Sequence, residues 1–507
     1  MRIRLIASLL ALTPGLLPAQ SAESVKAAVA SITGQDILRR IGVIAHDSMR
    51  GRNTPSPELE KTATWIAGEF RKFGLKPGGD SGRFLQRYPI VNGMIDSSSA
   101  ITIAGGPTLR FGRDAVPAGL VRRANVSGRV VLLSGTRPEE ASMAVADIAG
   151  AIVLIPLPAI DPSGNNSPIM QNFGMLAARR PAAVVLLTPL GDAVWNQISG
   201  RTMHPEPRPG WEAEPAEGLP IIALRKAALE PALKQKGVDL AALEAATGPV
   251  KSTPVDLTAS IVLKSSAGAE TSAPNVVGIL EGSDPALKNE YVVFSGHMDH
   301  VGVGTPNAAG DSIFNGADDD ASGTIGVVEM AEAFARLSPR PKRSLIFLTV
   351  SGEERGLWGS EYFSEHPAVP VQQIIADLNT DMIGRNWKDT IVAIGKEHSD
   401  LGTTLNRVNQ AHPELKMTAI DDIWPQESFY TRSDHYNFAR KGVPILFFFN
   451  GTHADYHGRD DELNKIDGEK ESRILKLVFY LGLELANADQ KPKWNPQSYR
   501  EIVKPTP

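Results

Sequence analysis

Between Val292 and Asp381 the chain reads, in order, VVFSGHMDHVG, NGADDDASG, SLIFLTVSGEERGLWGS and IIADLNTDMIG. Three of these segments begin with an apolar, β-branched run of the kind that forms a strand buried on both faces, and each run delivers His, Glu or Asp at its C-terminal end. Metal-ligand residue types therefore gather at one edge of a sheet. In open α/β sheets the crevice beyond the carboxyl ends of the strands is where ligands bind. The stretch predicts most of a two-metal hydrolytic site.

The donors can be taken one by one. His297 and Asp299 stand in H-x-D; alternate residues of an extended segment point the same way, so the carboxylate is placed to support the imidazole and fix which ring nitrogen faces a metal. Asp318, Asp319 and Asp320 follow a Gly-rich loop, and three adjacent carboxylates repel one another unless a cation sits among them. Read alone, the same triplet is equally an acidic turn capping the next helix. Glu353 and Glu354 come directly after LIFLTV, where an unpaired charge is costly; one can ligate a metal while the other takes a proton from metal-bound water. Asp381 ends IIADLNTD, and His457 in ADYHGRDDELNKID offers a second imidazole far along the chain.

What is absent narrows the chemistry. There is no H-E-x-x-H, no G-x-x-x-x-G-K-[ST] and no G-x-S-x-G, so helix-borne single-zinc sites, phosphate-cradling P-loops and nucleophile elbows lose their signatures. The chain has no cysteine, so any metal must be held by nitrogen and oxygen. A formal net charge of −5 gives no basic footprint for nucleic acid. Attack by metal-activated water is the chemistry that remains.

At 507 residues, with 42% apolar and 21% charged composition, the chain reads as several soluble globular units. Residues 1–19 have two arginines, an apolar run from Leu5 to Leu17 and a small-residue exit, the layout of a signal peptide. No segment reaches the length of a membrane span, so the expectation is an exported protein, periplasmic or secreted, without an anchor once the leader is removed. Asp36 to Ile44 and Glu58 to Phe73 carry helical stripes, and MRGRNTPSPELEKTATWIAGEFRKFGLKPGG reads as helix, turn and exit, packed on the outside of the sheet, with no catalytic residue types grouped in it. From about 100 to 260 short β-rich runs alternate with Pro- and Gly-rich loops. From Asn275 strand and helix alternate, predicting an α/β fold with a mainly parallel mixed sheet flanked by helices. The boundaries read this way are 24–105 and 259–488 for a split catalytic domain, 106–258 for a small β-rich insert, and 489–507 for a surface tail. Nothing in the sequence fixes an oligomeric state.

GHMDHVG, NGADDDASG, SGEERGLWGS, LNTDMIG and YHGRDDELNKID resemble, in the same order, the successive signatures of the two-zinc exported aminopeptidase family that also includes glutamate carboxypeptidase. The resemblance runs from about Asn275 to Ala486. The leader LRRIGVIAHDSMRGRNTPSP is similar to the entry into the same catalytic domain, and the insert is placed like a protease-associated domain. The resemblance implies two Zn2+ ions held by His297, Asp319, Glu354, Asp381 and His457, with Asp319 bridging. It implies Glu353 as general base, and Tyr456 as a tyrosine that steadies the oxyanion. Peptides are the implied substrates and an aminopeptidase the implied activity. Carboxypeptidase or non-peptide amidohydrolase action on the same site are the alternatives, along with a metal-free binding protein such as the family's receptor members, which the complete donor set disfavours.

Overall fold

The computed structural model describes residues 20–118, 121, 123–135, 145–157, 173–203, 206–212 and 218–503; the leader expected at 1–19 lies outside them. The chain divides into two compact units, one joining the residues up to Tyr88 to Ser272 and beyond, the other Pro89–Thr271.

The first unit opens with three helices, α1 (Ala22–Ser31), α2 (Gly34–Ile44) and α3 (Pro57–Lys72). Their starts are written locally: Thr33 accepts from the Asp36 amide, and Ser56, followed by Pro57, accepts from the Leu59 amide. The stripe Leu59, Ala63, Ile66, Ala67 and Phe70 is buried, as its helical spacing requires. The chain leaves the unit along β1 (Leu85–Ile95) and returns along β2 (Ser265–Leu280). Then follow β3 (Tyr291–His297), α4 (Gly323–Ala335), β4 (Ser344–Val350), α5 (Trp358–Glu365), β5 (Ile374–Thr380), β6 (Thr390–Ile394), α6 (Leu401–Ala411), β7 (Thr418–Ile420), α7 (His435–Ala439), β8 (Ile445–Phe449), α8 (Gly468–Asn487) and α9 (Pro496–Ile502).

Within this unit the strands lie in the order β7-β6-β8-β5-β3-β4-β2. The pairs β3/β4, β3/β5, β5/β8 and β6/β7 are parallel, and β2/β4 and β6/β8 antiparallel. The expected mainly parallel mixed sheet flanked by helices is what forms. Every residue of β4, β5 and β8 is buried. α4 and α8 cover one face, where Phe334 meets Phe479 at 4.5 Å and Phe294 stacks on Phe347 at 5.5 Å. Because β3, β4, β5 and β8 run the same way, the segments that follow His297, Val350, Thr380 and Phe449 all leave the sheet at one edge. The 489–507 stretch, read as a surface tail, contains α9, and Trp494 before it donates to the Gly442 carbonyl at 2.9 Å.

The second unit has its own mixed sheet, in the order Thr108–Arg110, Ala100–Ile103, Lys251–Leu263, Ala124–Ser134, Ile152–Pro156, Ala183–Thr188, Ile221–Arg225 and Ala115–Pro117. Helices such as Asp192–Met203 and Lys226–Gln235 accompany it, so it is an α/β unit, richer in helix than its β-rich sequence texture implies. Among the described residues no helix is long and apolar enough to cross a membrane.

Candidate active site

The edge beyond β3, β4, β5 and β8 assembles around Asp319, whose side chain lies among both imidazoles. His297 Nε2 is 3.5 Å from Asp319 Oδ1 and 3.6 Å from Asp381 Oδ2. On the other side His457 Nε2 is 3.2 Å from Asp319 Oδ2 and 3.0 Å from Glu354 Oε2. Glu353 Oε2 stands 4.0 Å from His297 Nε2. All six donors and acceptors singled out in the sequence, with Tyr456 stacked on the His457 ring at 4.0 Å, thus share one site. His297, Asp319 and Asp381 are almost wholly buried, whereas the His457 side chain is 39% exposed at the mouth. His457 and Met382 both have left-handed backbone, φ 52° in each, an unfavourable conformation for side-chain-bearing residues that is concentrated here at the site.

The acidic turn is built so that each aspartate does something different. Asp320 takes the helix-capping role: Oδ1 accepts from the amides of Gly323 and Met382, and Oδ2 from the His297 amide at 3.0 Å. Asp318 Oδ1 accepts from the Gly384 amide at 2.7 Å. Asp319 is left for the cleft. The glycines bracketing the turn are obligatory. A Cβ on Gly316, at φ 57°, would lie 2.1 Å from the Asp319 carbonyl oxygen, and one on Gly323 would lie 2.1 Å from that of Thr380. Asp461, fully buried, accepts from the Asp318 and Asp319 amides at about 3.0 Å, tying the turn to the loop that carries His457.

Beneath the turn lies a cation the sequence did not announce. Arg52 is fully buried and donates to the carbonyls of Met298, Ile44, Asn315 and Gly316 at 2.9, 3.0, 2.5 and 3.0 Å. Two residues on, Thr54 Oγ1 donates to Asp299 Oδ2 at 2.8 Å and accepts from the Gly352 amide. Asp299 Oδ1 also accepts from the Glu353 amide at 3.3 Å and lies 3.8 Å from His297 Nδ1, outside hydrogen-bond reach; the nearer partner of that nitrogen is the Asp299 carbonyl, at 3.3 Å. Ser433 Oγ donates to Asp381 Oδ2 at 2.8 Å. His300, three residues after His297, places Nδ1 2.8 Å from Glu354 Oε1. Arg52, Thr54, His300, Ser433 and Asp461 are therefore site residues beyond those picked from the sequence, although His300 stands in HMDH and Asp461 in YHGRDDELNKID.

The charge balance of this cluster calls for positive charge. Burial pushes Asp319 above the ordinary carboxylate range, with Glu354 adding to it. Burial likewise raises Glu353 well above, with Asp434, Glu354 and Asp381 adding to it. Burial acts to lower the His457 imidazole, but Asp319 and Glu354 outweigh it and raise it to about 10. Protons held so tightly are standing where cations fit. Two groups of ligand atoms lie within 4.8 Å of one another, His297-Asp319-Asp381 and His300-Asp319-Glu354. Asp319 Oδ2 is buried with His457 Nε2 3.2 Å away but no well-aligned hydrogen bond, as an oxygen aimed at a metal would be. The donor set fits a pair of divalent ions sharing Asp319.

The pocket at this edge is lined by Met382, Phe429, Phe447 and Phe449 together with Asp319 and Glu353, and by Arg432, Thr452 and Tyr456. From the segment between Trp424 and Arg440, Phe429, Arg432 and Ser433 belong to its lining.

Residues 275–482 match the family described as Peptidase family M28. A probable leucine aminopeptidase of Arthroderma otae is 26% identical over 213 residues, covering 40% of this chain and 57% of that protein. A probable zinc metalloprotease of Pyrenophora teres f. teres is 32% identical over 260 residues, covering 43% and 53%. The chain thus spans about half the length of these relatives. An aminopeptidase from Aneurinibacillus sp. strain AM-1 superposes over 95% of this chain and 98% of its own, with a TM-score of 0.53 at 17% identity, a likeness of fold.

Proposed function

We propose that this chain, whose residues 275–482 belong to Peptidase family M28, is an exported, zinc-dependent aminopeptidase that releases apolar N-terminal residues from peptides. The observation that carries the reading is the division of Asp319, with Oδ1 on the side of His297 and Oδ2 on the side of His457. A carboxylate placed in this way would serve two ions, one on either side. His297, Asp319 and Asp381 would hold one zinc, and Asp319, Glu354 and His457 the other; imidazole nitrogen with carboxylate oxygen suits that metal, and zinc stands in the name of the Pyrenophora relative.

Bound zinc would supply a Lewis acid and a water of lowered pKa. The chain's own residues supply the rest. Glu353 takes the proton of the attacking water and returns it to the leaving amine; its buried surroundings stabilise the protonated form it carries between the two transfers. Tyr456 donates from the side of the pocket to the carbonyl oxygen as charge develops there. Asp299 and Ser433 hold the Glu353 backbone and Asp381 in register. The side chain of the first residue enters between Met382, Phe429, Phe447 and Phe449.

The test is hydrolysis of leucyl-p-nitroanilide, expected to vanish with a chelator and return with zinc, while N-acetylated leucyl substrates are rejected. Failure to turn over any unblocked aminoacyl anilide in the presence of zinc would overturn the proposal. Preference for N-blocked peptides would move the activity to the carboxypeptidase class. Export rests on the leader MRIRLIASLLALTPGLLPAQ; N-terminal sequencing of the exported protein should begin just after Ala19, and an intact leader on it would refute cleavage.

A further inference from the structure

The two oxygens of Glu354 face different partners. Oε2 lies 3.0 Å from His457 Nε2, while Oε1 lies 2.8 Å from His300 Nδ1. Since an ionised carboxylate only accepts, His300 must carry its hydrogen on Nδ1. The His300 ring is completely buried, edge-on to His457 with centroids 5.6 Å apart, and Gly316 leaves the space its carbon edge occupies. Nδ1 is 3.7 Å from Asp319 Oδ2, beyond hydrogen-bond reach, and Nε2 is buried with no partner. Burying a polar ring is costly unless it is hydrogen-bonded, and here the one bond that offsets the cost is to Glu354. Packing alone would be served equally well by a phenyl ring.

We propose that His300 is a positioning residue for the metal centre: its Nδ1–H holds Glu354 Oε1, so that Glu354 offers one oxygen, Oε2, to the ion it shares with Asp319 and His457. A carboxylate with both oxygens free can swing or close on an ion through either. Held at Oε1, it presents a fixed donor before the ion arrives, and the ordering cost of binding falls. The inference rests on the two-zinc reading above.

The experiment compares wild type with His300→Phe, which keeps size and burial, and His300→Asn, whose amide nitrogen takes the place of Nδ1. Stepwise zinc affinity is measured by competition with a chelator, cobalt-substituted protein gives the visible spectrum, and Tm of the metal-free protein monitors folding. His300→Phe should weaken the second zinc equivalent about 10- to 100-fold, as loss of a group that orients a metal ligand does, with the first equivalent unchanged. His300→Asn should recover most of that loss. An affinity for the second equivalent within about 2-fold of wild type in His300→Phe overturns the proposal. So does a His300→Asn variant no tighter than His300→Phe, which would show that the ring and not its Nδ1–H matters. A change in cobalt coordination with complete loss of one ion would make His300 a ligand instead, and also overturns it. Wild type binding only one equivalent would sink the two-zinc reading first, before any variant is compared.

Discussion

Replacing Arg52 by Met separates a pin from a spacer. The methionine stem fills much of the same volume, but four buried carbonyls within 3.0 Å, those of Met298, Ile44, Asn315 and Gly316, lose their donor. The Gly316 carbonyl keeps the Ala321 amide at 3.3 Å, so at about 1 kcal/mol or more for each of the other three acceptors the loss comes to about 3 kcal/mol, a large part of the 5 to 15 kcal/mol that typically holds a domain together. The acids that interact with Arg52, namely Asp319, Asp299, Asp320 and Asp461, would also lose their resident cation. Urea unfolding with a chelator present, followed by amide exchange in β3 and α4, reads the stability of this unit directly. Arg52→Lys keeps the charge but not the planar fork, and should lose about half as much. If Arg52→Met lies within about 1 kcal/mol of wild type, the guanidinium is not holding the acidic turn and the reasoning fails.

Glu353→Gln should retain its zinc and lose about 10²-fold or more in kcat, whereas Glu354→Gln should lose affinity for one ion and recover activity at high zinc; kcat and zinc content across a zinc titration distinguish them, and the reverse pattern would exchange the two roles. Asp461→Ala removes the acceptor for the Asp318 and Asp319 amides, so zinc affinity should fall about 10- to 100-fold, and unchanged affinity by chelator competition would show that the turn stands by itself. Asp377, fully buried in β5, is raised by burial from the ordinary 3.8 to about 8. The folded state then binds a proton that the unfolded state releases, so this contribution to stability is complete below pH 4 and is lost as pH rises to 8. Asp377→Asn should flatten that fall in a urea-midpoint series, and an unaltered slope would contradict it.

The strands and their chemistry were legible because both signals are local. An apolar β-branched run followed at once by an acid or histidine states a buried strand and what leaves its end, and β3, β4 and β5 behave so. At Asp299 alternation holds only in part: its carboxylate stays within 3.8 Å of His297 Nδ1 and favours the charged imidazole, but its hydrogen bonds go elsewhere. β3 stops at His297, and beyond it the chain no longer alternates, so the Asp299 carboxylate turns to Thr54 and the Glu353 amide. The same exit turns His300 inward. In the acidic triplet the capping role falls to Asp320 while Asp319 is the one left facing the cleft, a division no composition rule can make. Arg52 and Thr54 carry no local signal because, Ile44 apart, the partners of their side chains lie 245 to 298 residues away. In a sequence a buried arginine looks the same as a surface one.

Asp461 closes contacts of 143 residues with Asp318, and Arg52 closes contacts of 263 and 264 with the same turn from the other side. Closing segments of that length costs chain entropy before any contact is rewarded, which makes such pairings slow to form. The donors from β3 and β4 come together once neighbouring strands pair, but the turn is not pinned, nor the second imidazole delivered, until the segment around 457–461 has folded back. Metal capture is therefore a late step in the folding of this chain and not its nucleus. The appearance of tight zinc binding in a refolding experiment should coincide with the slowest conformational phase, and the ion in effect certifies that the chain has finished folding.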